Sequence, residues 1–467
     1  MKQQTNSWGK INDGDNKNHI LLKAIAIYLT ETLNMSKKTG RYELIENPKK
    51  RQKSVNDDDE EKEYDPYGYN NEGDLLEKLA IGALPPLNQW IEIEDGVEFV
   101  HEINNGNTDN NDSKEVTVKE STITYIFRSY KHDGTKRIDD FVNRAYKSYQ
   151  EAIIAKHKKD KTRYMYIPAK TTTTSSDDEN KEATVPTYKR YGLGEDKTFN
   201  SLFFDDKPEL LSLLDNFLNK TGKFAIKGFP YKMGLLLHGP PGTGKTSLIK
   251  ALAQYTKRHI VNISLSKIRT NQELMDAVFD LKFNVAGEDL PVKLSYDKIV
   301  FVMEDIDCAS NVVNARTDEI KNQNDDGIPD LLAMFEDSSD KIIGPSPKKS
   351  SSDRLNLSGL LNVLDGVVDC PGRIVIMTTN HPEKLDPALI RPGRVNKKLL
   401  MGHINARQTI LMMEHYFSAR LDIKQKHEIH DIFANTTKSF SPADVEQLCA
   451  EHWDATTMMD ALARLGD

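Results

Sequence analysis

The chain has 467 residues, 29% of them charged and 38% hydrophobic, with a formal net charge of −8. That length calls for roughly two to four domains, and the negative balance excludes a general nucleic-acid coat, so no specific nucleic-acid partner is expected. The cysteines Cys308, Cys370 and Cys449 lie far apart with no C-x-x-C pair, which excludes a disulfide framework or zinc ribbon and points to a soluble protein of a reducing compartment, the cytoplasm by expectation.

The first residues carry no secretory leader pattern. The apolar stretch 20–33 is interrupted by Lys23 and Glu31 and falls short of the ~20 apolar residues a bilayer requires, so no transmembrane segment is expected. Leu21, Ile25, Tyr28, Leu29 and Leu33 recur on one face, which predicts a docking or core helix. Polar segments at 47–63, 104–113 and 171–182 lack the apolar groups that offset ordering entropy and are expected to be linkers or loops. The first contains the acidic run Asp57-Asp58-Asp59-Glu60-Glu61. Residues 97–100 and 121–127 alternate as strands, and 163–167 is a further short strand. A helix is expected over 139–156, with Phe141, Val142, Ala145, Tyr149 and Ile153 on one side. The expected division is an N-terminal helix and linker, 1–65, followed by a small β-rich α+β domain, 66–190.

From about Thr198, strands alternate with helices, which predicts an α/β domain with a parallel sheet over 195–402. The short apolar runs 235–237, 259–263, 299–303 and 373–377 suit buried strands. Residues 309–353 show no strong period and end in Pro345-Ser346-Pro347-Lys348-Lys349, so they read as an insertion. After Met401 the chain turns helical, 403–467. One helix is expected at 406–417, and another begins at Ser441, with Pro442 in its first turn and Asp444 completing an S-x-x-D cap.

Four constellations carry chemistry. Gly239-Pro240-Pro241-Gly242-Thr243-Gly244-Lys245-Thr246 fits G-x-x-x-x-G-K-[ST] between an expected strand and an expected helix. Its glycines let backbone N–H groups converge on phosphate oxygens, and the new helix adds its N-terminal dipole. Lys245 suits the β- and γ-phosphates of ATP, and the Thr246 hydroxyl suits Mg2+. The second constellation is Glu304-Asp305 at the end of the strand 299–303. One acid, Glu304, would hold the Mg2+ shell while Asp305 orients the attacking water. The common order is Asp then Glu, so the catalytic carboxylate here is one methylene shorter. Asp307 reads as a structural acceptor. The third is Asn380 at the tip of the strand that begins at Arg373, able to donate and accept at once. The fourth is the Pro-fixed turn holding Arg391 and Arg394, either phosphate ligands or paired surface arginines.

Together, in this order, the four resemble the AAA family of ATPases. The resemblance is nearest to the branch containing the mitochondrial chaperone of the Rieske iron–sulfur protein, with its plant relatives. It is carried by Gly228-Phe229-Pro230-Tyr231-Lys232-Met233-Gly234, by the reversed acids at Glu304-Asp305-Ile306-Asp307, by 357–366 and by 378–394, and it covers about 198–449. It implies a P-loop AAA domain with a C-terminal helical lid at 403–467, and a homo-oligomeric ring in which Arg391 and Arg394 act on ATP held by a neighbour. It makes Asn380 the residue that senses the γ-phosphate, and puts Ser441, Pro442, Ala443 and Asp444 where the lid meets base and ribose. Threading members of the family carry an aromatic residue and a glycine in a pore loop; residues 264–273 have neither. The expected activity is therefore that of a Mg-dependent ATPase that chaperones or remodels a folded protein client. The alternatives are a chain-threading unfoldase or disassembly motor, and an ATP-dependent scaffold that hydrolyses weakly.

Overall fold

The computed structural model describes residues 2–5, 18–33, 41–46, 79–106, 120–169, 187–286, 288–309 and 354–466. The expectations at 47–63 and 171–182, and all of the insertion beyond Ala309, lie outside them. The chain divides into two units, Met1–Lys161 and Thr162–Asp467.

The first unit contains β1 (Lys2–Thr5), α1 (Asn18–Thr32), β2 (Arg41–Glu46), β3 (Leu79–Leu84), β4 (Ile91–Glu94), β5 (Val97–Gly106), β6 (Glu120–Arg128) and α2 (Gly134–Lys159). An antiparallel sheet runs β1-β6-β5-β4, and β2 pairs separately with β3. The β5–β6 register sets Phe99 opposite Phe127 and His101 opposite Tyr125. Four of the five residues of the expected stripe on α2, Phe141, Ala145, Tyr149 and Ile153, are buried, and Val142 is partly buried against the cluster that holds Phe141 and Ala145. Two expectations change. Asn104 to Gly106 continue β5 instead of opening a loop, because each pairs with β6; residues 107–113 lie outside the described ones. Helix α1 buries Ile20, Leu22, Ala24, Ile25, Ala26, Ile27 and Leu29, more than a single face. Leu21, Tyr28 and Leu33 are only partly buried. Elements on more than one side remove the polar face that an amphipathic reading requires.

The second unit contains β7 (Tyr164–Pro168), β8 (Thr187–Gly192), α3 (Lys207–Leu218), β9 (Lys232–His238), α4 (Lys245–Thr256), β10 (His259–Asn262), α5 (Asn271–Phe279), β11 (Lys282–Val285), β12 (Val292–Lys293), β13 (Ile299–Met303), α6 (Leu357–Asp365), β14 (Arg373–Thr379), β15 (Lys397–Leu400), α7 (Ala406–Tyr416), α8 (Ile423–Asn435), α9 (Pro442–Glu451) and α10 (Ala455–Gly466). One sheet runs β12-β11-β8-β7-β10-β13-β14-β9-β15. Strands β10, β13, β14, β9 and β15 are mutually parallel, whereas β7–β8 and β11–β12 are antiparallel, so the sheet is mixed at one side. Strand β7, grouped on sequence with the region before it, belongs to this sheet. It pairs in parallel with β10 through Met165 and Tyr166, and Tyr166 lies in the core of this unit.

Both faces of the central strands are covered. Phe301, Met303, Val375 and Met377 enter one apolar cluster, while Val300, Val302, Ile374 and Ile376 enter the other. This is why the strands read as continuous apolar runs without alternation. The helices α7 to α10 close over a third cluster around Met413, Ile429, Phe440, Val445 and Met458. Capping boxes start α7 at Asn405–Gln408, α8 at Asp422–Gln425 and α9 at Ser441–Asp444, each satisfying two N–H groups at the helix start. Among the described residues no helix is long and apolar enough to cross a membrane.

Arg258 holds the opposite end of the sheet from the strand tips. It is 2% exposed, and its Nη1 donates to the carbonyls of Tyr296, Ile299 and Gly372 at 2.9, 3.3 and 2.7 Å. Burial pushes its guanidinium below the usual arginine range, opposed by the Tyr231 phenolic oxygen and then by the charge of Asp297. Replacing Arg258 by alanine strands these carbonyls and opens a cavity. The expected cost is about 3 kcal/mol or more of unfolding free energy, seen as a lower urea midpoint for the second unit.

Candidate nucleotide site

The order of the parallel strands places β9 between β14 and β15, although the chain runs from β9 to β10 on the far side of β13. A crevice forms at the carboxyl ends of strands where the connections diverge in this way. The loop after β9 lies there. Gly239 has φ +142° and Gly244 has φ +90°. A Cβ on Gly239 would sit 2.0 Å from the Met401 carbonyl oxygen, so only glycine fits. Gly244 is the N-cap of α4 in a left-handed conformation, which turns the first N–H groups of the helix toward the loop.

Lys245 folds back under this loop. It is 9% exposed. Its Nζ donates to the carbonyls of Gly239 and Pro240 at 2.7 and 2.8 Å and to Asn380 Oδ1 at 2.7 Å. Burial lowers its pKa, opposed by the charges of Asp305 and Asp307. Thr243 Oγ1 donates to the Pro240 carbonyl at 2.9 Å and stiffens the turn. Thr246 Oγ1 donates to Glu304 Oε1 at 3.0 Å. His238, at the end of β9, is also held below the usual histidine range, first by burial and then by Lys398 and Lys245.

The acids and the end of β14 are tied to each other. The Asp305 N–H donates to Thr378 Oγ1 at 2.8 Å. Asp307 Oδ1 accepts from Thr379 Oγ1 at 2.8 Å and from the Asn380 N–H at 3.4 Å, the structural role expected of it. The Ala443 N–H, at the start of α9, donates to the Gly242 carbonyl at 3.2 Å, so the helical region touches the loop directly. The bonds of Thr378 to Asp305 and of Thr379 to Asp307 are not readable from sequence. The mark of these threonines is two hydroxyls directly after the apolar run Ile374 to Met377.

Gly239, Pro240, Gly242, Thr243, Lys245, Thr246, Glu304, Asp305 and Asn380 thus come together. Arg391 and Arg394 do not join them. The Arg394 carbonyl packs against Gly234 near the start of β9, where a Cβ would meet it at 1.9 Å, five positions before Gly239. Arg394 Nη1 donates to the Ala388 carbonyl at 2.5 Å. Burial and the charge of Arg391 hold its pKa down, against Asp365 and Asp386. Arg391 is exposed.

The residues fit a magnesium nucleotide. The cradle around Gly239 admits no side chain, one partly desolvated ammonium faces it, and the oxygens of Thr246 and Glu304 form an adjacent pair of hard donors suited to Mg2+. Residues 235–403 match the ATPase family associated with various cellular activities, AAA. Similar proteins from Arabidopsis thaliana include AAA-ATPase At2g18190, 30% identical over 346 residues that cover 72% of this chain and 60% of that protein. AAA-ATPase At3g28600 is 33% identical over 254 residues, 54% of this chain and 46% of that protein. AAA-ATPase At4g25835 is 30% identical over 260 residues, again 54% and 46%. The chain spans about half to three-fifths of the length of these relatives. The strand order and the phosphate cradle accompany this likeness over residues 235–403, the stretch that is similar to the AAA family of ATPases.

Proposed function

We propose that the chain binds ATP with Mg2+ and hydrolyses it as a subunit of a homo-oligomeric ring, and that the cycle chaperones or remodels a folded protein client. The observation that carries the nucleotide half is the 2.7 Å contact between Lys245 Nζ and Asn380 Oδ1, which joins the phosphate loop to the tip of β14. When bound, Mg2+ neutralises charge on the β- and γ-phosphates. Lys245 exchanges its carbonyl partners for phosphate oxygens, which frees the Asn380 amide to meet the attacking water. Glu304 and Thr246 would hold the metal, and Asp305 would take a proton from the water as its oxygen bonds the γ-phosphorus and the bond to the β–γ bridging oxygen breaks, releasing ADP.

The ring rests on Arg391. It is exposed, and its carbonyl accepts from the N–H of Arg394, whose own carbonyl packs against Gly234 toward the other end of β9 from the phosphate loop, which suits a guanidinium offered to a neighbouring subunit's ATP. Placement in the Rieske-chaperone branch is supported by the reversed acids Glu304-Asp305 and by the run 378–394. The folded client follows from that branch and from residues 264–273, which lack a gripping aromatic. Subunits carrying Arg391→Ala, mixed with wild type, are expected to depress steady-state ATP turnover below the proportion of wild-type chains. Activity strictly proportional to wild-type content would count against action across subunits. Crosslinking to a folded or an unfolded client separates the chaperone from a threading motor.

A further inference from the structure

Two acids in succession on a strand face opposite sides of the sheet. Glu304 and Asp305 directly follow β13, so a simple extension would aim only one of them at the phosphates. The backbone breaks the alternation at Asp305, which has φ 47° and ψ 54°, a left-handed conformation uncommon for a residue with a Cβ. Glu304 reaches Thr246 Oγ1 at 3.0 Å, and the Asp305 N–H bonds Thr378 Oγ1 at 2.8 Å, one residue before Thr379, whose carbonyl accepts from the Gly239 N–H at 3.3 Å. Both acids therefore serve the same loop.

The kink has an anchor on each side. Its N–H donates to Thr378 Oγ1 at 2.8 Å, and Thr378 is 2% exposed within β14. Beyond it, Ile306 is buried and Asp307 is bonded to Thr379. An aspartate has one χ angle fewer than a glutamate and cannot compensate for a small backbone swing by extending.

We propose that Thr378 is a positioning residue for ATP hydrolysis: its hydroxyl holds the left-handed turn that carries the short carboxylate of Asp305 to the attacking water. This rests on the hydrolytic reading above. Thr378→Val keeps the shape and removes the acceptor. It is expected to lower kcat about 10- to 100-fold while the Kd for a fluorescent ATP analogue stays within about twofold. Thr378→Ser, which keeps the hydroxyl, is expected to stay within about threefold of wild-type kcat.

The deciding measurement is a double-mutant cycle in single-turnover ATP hydrolysis. On an Asp305→Asn background, Thr378→Val is expected to change the residual rate by less than about twofold, because the group it positions is gone. An equal loss in both backgrounds, or a Kd that rises with the loss of kcat, overturns the positioning role alone. A wild-type chain without Asp305-dependent turnover overturns the hydrolytic reading, and the proposal with it.

Discussion

Lys245→Ala is expected to weaken nucleotide binding by about 100-fold or more, while the nucleotide-free protein keeps most of its stability. The two halves follow from the same burial. Lys245 lies under the loop with its charge penalised by desolvation, and it satisfies two carbonyls and Asn380 Oδ1. Removing it strands these acceptors but also removes a costly buried charge, so the net stability change is about 1–2 kcal/mol. Binding has no such offset. The phosphates lose their one buried cation in a partly desolvated site, which costs about 3 kcal/mol or more, and each 1.4 kcal/mol is about tenfold. Calorimetric titration of ATP with Mg2+, beside a melt of the nucleotide-free chain, checks both halves. A Kd within about tenfold of wild type would remove Lys245 from the site.

The parts legible in sequence were those whose chemistry demands contiguous residues. The run Gly239 to Thr246 announces its loop because each backbone requirement sits beside the next. The strands β13 and β14 were legible from apolar runs bounded by polar tips, and α9 from the Ser441–Asp444 box. What stayed hidden depends on partners distant in the chain. Nothing in Tyr164–Pro168 says that it pairs with β10, since any short apolar strand can join either of two sheets. The burial of α1 on more than one side depends on partners such as α2 and β3, far from it in the chain. The left-handed turn at Asp305 has no glycine to mark it, and its anchor Thr378 lies 73 positions away. The inward bond of Arg394 to Ala388 likewise distinguishes two arginines that look equivalent in sequence.

Asp305→Asn is expected to bind ATP within about threefold of wild type and to lose about 10²- to 10⁴-fold in kcat, the range of a missing general base. Asparagine preserves the shape, and it tolerates the left-handed conformation at φ 47° at least as well as aspartate does. The Asp305 N–H and its bond to Thr378 Oγ1 survive. What is lost is the capacity to accept a proton. Glu304→Gln is the contrasting variant. Glu304 pairs with the Thr246 hydroxyl at 3.0 Å, so its loss should fall first on the Mg2+ requirement, raising the concentration that supports half-maximal turnover. Phosphate release measured across a Mg2+ titration separates the two. If Asp305→Asn shifts the Mg2+ dependence while Glu304→Gln only stalls turnover, the acids hold the usual roles in reverse, and the short carboxylate serves the metal. The geometry argues against that exchange, because the longer side chain is the one already at the Thr246 hydroxyl, and the shorter one sits on the turn fastened to the tip of β14.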